Sequence, residues 1–133
     1  MTHLALLITV RFGDREVEVE GTPIALRQLA SLIRSSAEVS IDLTPGLVDP
    51  SPYKGFVRSI TVRPNENKVQ IQRSDDQLLL TGRLAAREVL AANVNDFADR
   101  HYEPGDHLHI DFFSGHYYLE EGSLPVVFSR LES

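Results

Sequence analysis

Apolar and polar residues alternate along much of the chain, and where the period of the alternation changes, the predicted element changes with it. Residues Leu4 to Val10 are almost wholly apolar; after a break at Gly13-Asp14 the run Glu16-Val17-Glu18-Val19-Glu20 alternates strictly. Period-two patterning beside a Gly-Asp turn predicts a β-hairpin whose second strand keeps one face in water. The first strand, apolar on both faces, is expected to lie more centrally than its partner. The three glutamates then line a solvated face and guard an edge.

Gly21-Thr22-Pro23 opens a helix, with Thr22 at the N-cap and Pro23 at the first helical position. Leu26, Leu29, Ala30 and Ile33 recur at steps of three and four, leaving Arg27, Gln28, Ser31 and Arg34 on the wet side. The helix is expected to end near Ser35-Ser36, and Val39 to Leu43 alternates as a strand. Residues 44–55 hold three prolines and two glycines, so they read as a loop. Phe56 to Val62, Val69 to Arg73 and Leu78 to Leu80, parted by turns at Asn65-Glu66-Asn67 and Asp75-Asp76, read as an antiparallel meander. A second helix is predicted from Leu84 to Arg100. Its stripe is Ala86, Leu90, Val94 and Phe97, with Arg83, Arg87, Asn95, Asp96 and Asp99 wet. His107 to Phe113 and Leu124 to Leu131 close the series as strands, Pro125 suiting a strand start or edge.

The stretch VEVEG followed by ALRQLASLI resembles LLLTG followed by AREVLAANV, matching Ala25 with Ala86, Leu29 with Leu90 and Ala30 with Ala91. The strands that follow carry Ile41-Asp42-Leu43 and Ile110-Asp111-Phe112. Any two strand–helix–strand units share some of this; the sharper reading is two pseudo-equivalent halves, each placing one helix on a shared sheet. The expected fold is α+β: a mainly antiparallel sheet with two helices packed on one face, in a single domain over residues 1–133.

Composition narrows the function. A net charge of −6, with 11 Arg and 2 Lys spread evenly, argues against nucleic-acid binding and suits a basic protein partner. There are no cysteines, which removes thiol nucleophiles, disulfides and Cys-based metal sites. No apolar run approaches the roughly 20 residues of a membrane span, and no basic leader precedes the first apolar stretch. A cytoplasmic location is expected.

In a strand, His107, His109 and Asp111 point to one face while Leu108, Ile110 and Phe112 point to the other. Two imidazoles two residues apart can ligate one zinc, with Asp111 or His116 as third ligand, so a small metal-dependent enzyme is one reading. The favoured reading is a contact surface, with no metal and no cofactor. The pairs Asp75-Asp76 and Glu120-Glu121 lie in turns and do not face each other across a cleft as paired catalytic carboxylates must. Ser114-Gly115-His116 is weak as a nucleophile motif, and no phosphate-binding glycine loop is present. Tyr53 and the pair Tyr117-Tyr118 are aromatic patches beside loops, suited to protein contact.

The run Pro104-Gly105-Asp106-His107-Leu108-His109-Ile110-Asp111-Phe112-Phe113 resembles the immunity protein 32 family. So do His116-Tyr117-Tyr118-Leu119, Gly122-Ser123-Leu124-Pro125-Val126-Val127 and Tyr53-Lys54-Gly55-Phe56. The resemblance spans residues 22 to 128 and is most motif-like in the last third. It implies a small bacterial α+β protein that binds and neutralises a cognate toxin, with no catalytic residue to carry over. The expected contact surface comprises His107, His109, Asp111, His116, Tyr117, Tyr118 and Tyr53. A homodimer pairing through an uncovered sheet face is the remaining alternative.

Overall fold

Thr22 caps its helix as its type predicts. In the computed structural model, which describes residues 3–43, 49–99 and 106–131, its Oγ1 accepts from the Ala25 N–H at 3.2 Å and α1 runs Pro23–Ile33. The chain reaches α1 through β1 (His3–Leu6), β2 (Ile8–Phe12) and β3 (Val17–Gly21). It continues through β4 (Val39–Leu43), β5 (Gly55–Phe56), β6 (Ser59–Pro64), β7 (Gln70–Ser74) and β8 (Gln77–Gly82). Helix α2 (Leu84–Asp99), β9 (His107–Ile110) and β10 (Val126–Arg130) complete the fold. The predicted helix end at Arg100, residues 44–48 of the predicted loop and Pro104-Gly105 at the start of the family-like run lie outside the described residues.

The fold is α+β as expected, but its strands form two sheets instead of one. The first has the order β1-β4-β6-β8-β7 and the second β5-β2-β3-β10-β9. Pairing is mostly antiparallel, with parallel pairs at β1/β4, β6/β8 and β3/β10. The helices pack against each other, and α1 touches β1 of the first sheet and β3 of the second. The chain crosses from the second sheet through α1 to the first, and from the first through α2 back to the second. Inward residues of both sheets and both helices join one apolar core that includes Val10, Val19, Leu29, Ile41, Val62, Leu80, Leu90 and Phe128.

The pairing reveals two pseudo-equivalent halves, as the matched sequence segments suggested. Strands β2, β3, β4 and β6 of the first half correspond to β7, β8, β9 and β10 of the second. The order β4-β6-β8-β7 in one sheet is matched by β9-β10-β3-β2 in the other, with the same sense at each step. Each sheet thus takes its hairpin from one half and its last two strands from the other. Exchange of this kind makes each half's core incomplete without its mate.

Three strand expectations are corrected. The run Leu4 to Val10 is not one strand; it breaks at Leu7, 82% exposed, where the chain leaves the first sheet for the second. β3, not β2, is central in its sheet, so its glutamates lie in the middle of a sheet face. The segments 59–82 are no meander: β8 pairs antiparallel with β7 but parallel with β6. Arg87, expected to be wet, is only 1% exposed.

Candidate functional site

The hairpin register decides which side chains meet on the outer face of the second sheet. With Phe12 opposite Val17, Arg11 falls opposite Glu18, and pairing of β3 with β10 and β10 with β9 extends that row through Val127 to His109. Arg11 ion-pairs with Glu18 and lies 3.5 Å from Glu20. Its guanidinium lies over the Tyr53 ring, 5.7 Å from the centroid. Burial, together with Glu18 and Glu16, raises the Tyr53 hydroxyl above its ordinary acidity range, so the ring stays neutral.

Tyr53 and Lys54 are brought there by the backbone. Lys54 N–H donates to the Phe12 carbonyl at 2.7 Å and Val57 N–H to that of Val10 at 2.8 Å, clipping this segment to the outer edge of β2. Lys54 ion-pairs with Asp14 in the hairpin turn, which lowers the Asp14 carboxyl. The result is a groove of about 750 Å³ lined by Asp14, Glu16, Tyr53, Lys54, His109 and Asp111, among others. Three expected site residues therefore converge, Tyr53 joining His109 and Asp111 from far away in sequence. The sequence reading missed Arg11, Asp14, Glu16 and Lys54. Arg11 was recoverable, because the Gly13-Asp14 turn sets a cation opposite the alternating glutamates.

His107 faces the same side but is occupied: its Nδ1 lies 2.9 Å from Ser129 Oγ, directly across the strand pair. Its ring meets His109 edge-on with centroids 6.2 Å apart. Leu108 and Ile110 turn toward the core, so the predicted alternation of this strand holds. Among the described residues no three His, Asp or Glu side chains gather closely enough to hold a metal ion.

His116, Tyr117 and Tyr118 form a separate cluster, because residues 116–124 pack along the outer edge of β7. Val69 N–H donates to the Tyr118 carbonyl at 2.8 Å and Glu120 N–H to that of Val69 at 2.7 Å, while Leu124 N–H donates to the Ile71 carbonyl at 2.9 Å. His116 is buried, and its Nδ1 accepts from the N–H groups of Tyr118 and Leu119 at 3.2 and 3.1 Å. Burial and the nearby Lys68 lower its basicity. Tyr118 is buried against it with the rings 4.5 Å apart, and its hydroxyl accepts from Asn93 at 3.2 Å. Two of the expected contact residues are thus internal supports, correcting their placement on the surface. Tyr117 and Phe113 are exposed, and each ring lies against His116, with centroids 5.8 and 4.5 Å away.

A groove and a pair of exposed rings of this kind can grip a protein surface, and His116 Nδ1 is committed to main-chain N–H groups. Comparison with known proteins adds one finding: the family model of immunity protein 32 matches residues 16–47 and 77–131. These segments cover β3, α1 and β4 of one half and β8, α2, β9 and β10 of the other. No curated protein and no solved structure matches the chain.

Proposed function

Because the chain belongs to the immunity protein 32 family, we propose that it is a non-catalytic protein that binds and neutralises a cognate bacterial toxin. What supports this reading is the groove on the second sheet. It joins an aromatic anchor, Tyr53, to carboxylates and a histidine on the outer face of the sheet, at strands tied into a shared core. A rigid surface loses little entropy on binding, and a chain of net charge −6 steers basic partners toward it. Tyr117 and Phe113 supply further exposed rings for contact.

The reading carries with it a cytoplasmic location, where such a toxin would act on the cell that makes it. No helix among the described residues is long and apolar enough to cross a membrane. The experiment is co-expression with the toxin domain encoded beside the gene. Rescue of growth with a stable one-to-one complex is the expected result. Growth arrest with no co-purifying toxin would remove the reading.

A further inference from the structure

The two halves differ in what flanks the equivalent strands β4 and β9. In the first, β4 has β6 on one side and β1 on the other, β1 running parallel to it from His3 opposite Ser40 to Leu6 opposite Leu43. In the second, β9 has β10 on one side, and on its other side no strand pairs with it among the described residues. The equivalence is close in sequence: Ile41 opposite Ile60 corresponds to Ile110 opposite Val126, and Val39 opposite Val62 to Leu108 opposite Phe128. Val39 is buried, whereas Leu108 keeps part of its side chain in solvent.

We propose that the free edge of β9 takes up an extended segment of the partner protein as an added strand, parallel to β9 as β1 is to β4. This rests on the partner-binding reading above and specifies its mode of contact. Main-chain N–H and C=O groups along an open edge give affinity to any extended chain, and alternate side chains give selectivity. Residues of the added strand on the inner side meet Leu108 and Ile110, and apolar side chains there finish covering Leu108. Residues on the outer side lie beside His109 and, where β9 ends, approach Asp111 and Glu16. Both carboxylates are exposed, line the groove and form no salt bridge among the described residues. The occupant is therefore an extended segment in which apolar residues alternate with lysine or arginine.

The test uses the full chain and two synthetic peptides, Lys-Val-Lys-Leu-Lys-Val-Lys and its counterpart with glutamate for lysine, followed by amide NMR and hydrogen exchange. The lysine peptide is expected to shift and protect amides of residues 107–110, and the glutamate peptide is not. Leu108→Lys, an inward charge on an edge strand, is expected to abolish the effect. The surface variant Glu16→Lys/Asp111→Lys, which leaves the core untouched, is expected to reverse the preference between peptides. Shifts confined to other strands, or none, would overturn the proposal even if a toxin binds elsewhere. Protection of residues 107–110 that grows with protein concentration without peptide would assign the edge to a second copy and also overturn it. A toxin that fails to bind a chain whose β9 still accepts the lysine peptide would remove the immunity reading and leave the edge.

Discussion

Arg87 stands in α2 where Leu26 stands in α1, and both are sealed from solvent. Leu26 fills its site with methyl groups. Arg87 instead donates from Nε to the Gly82 carbonyl at 2.8 Å and from Nη1 to those of Ile33 and Ser35 at 2.8 and 2.6 Å. Ile33 closes α1, so the cation meets the carbonyl-rich, negative end of that helix. The antiparallel helices are tied at their other ends by Arg27 and Asp99, 2.6 Å apart but exposed. Burial lowers the basicity of Arg87, the cost of holding a charge solvated by main-chain carbonyls, and Glu88 offsets part of it.

Removing that side chain leaves a cavity and takes a donor from the carbonyls of Ile33, Ser35 and Gly82, of which Gly82 alone keeps a second, the Asn65 N–H at 3.1 Å. Arg87→Ala is expected to destabilise the fold by about 3 kcal/mol or more. Arg87→Leu, which copies the other half, keeps the volume but not the hydrogen bonds, and its loss is expected to be smaller. Urea unfolding of the three proteins checks the order.

The paired glycines at the hairpin ends make a second contrast. A Cβ on Gly82 would stand 3.0 Å from the Cα of Val69, and its φ of 152° disfavours any side chain. A Cβ on Gly21 would stand 2.7 Å from Cγ2 of the buried Ile8, which must shift, but the contact is with side chain and the Gly21 backbone is not in the left-handed region. Gly82→Ala is expected to cost about 2 kcal/mol or more and Gly21→Ala less, measured as melting temperatures.

His116 has its basicity lowered on folding, so below the ordinary histidine pKa of about 6.5 the unfolded chain binds more protons than the native one. Stability is then full above that pH and falls as pH drops toward the lower native value. A proton on Nδ1 would face the Tyr118 and Leu119 N–H groups it now accepts from. His116→Asn, with an acceptor and no titration in this range, is expected to flatten the slope of unfolding free energy between pH 7 and 5, read by denaturant titration.

Tyr53 lies at the rim of the groove with Arg11 beneath it. Tyr53→Ala is expected to weaken toxin binding by about 2 kcal/mol. Folding stability is expected to change by less than about 1 kcal/mol, since the ring is only partly buried. Calorimetric titration against the cognate toxin, with a melting curve as control, separates the two effects.

Local elements were legible because they depend on near neighbours. The Thr22 cap, the stripe Leu26-Leu29-Ala30-Ile33, the hairpin at Gly13-Asp14 and the alternation of His107 to Ile110 all follow from spacing and side-chain type. The matched Ala25/Ala86, Leu29/Leu90 and Ala30/Ala91 pointed to two halves for the same reason: equivalent sites on equivalent helices demand the same volumes. The candidate site was legible in part. His109, Asp111 and Tyr53 do share a groove, while His116 and Tyr118 are polar residues that a buried hydrogen-bond network satisfies, which no local pattern distinguishes from exposure.

Periodicity along the chain thus determined which faces of each helix and strand would be apolar, since burial alternates with backbone geometry whatever the partner. Tertiary structure alone decided the partners. The break at Leu7, the exchange of strands between sheets and the burial of Arg87 each depend on contacts between residues distant in sequence. A pattern of apolar positions is equally satisfied by one sheet or by two; only closure of a common core, with every buried main-chain carbonyl given a donor, selects between them.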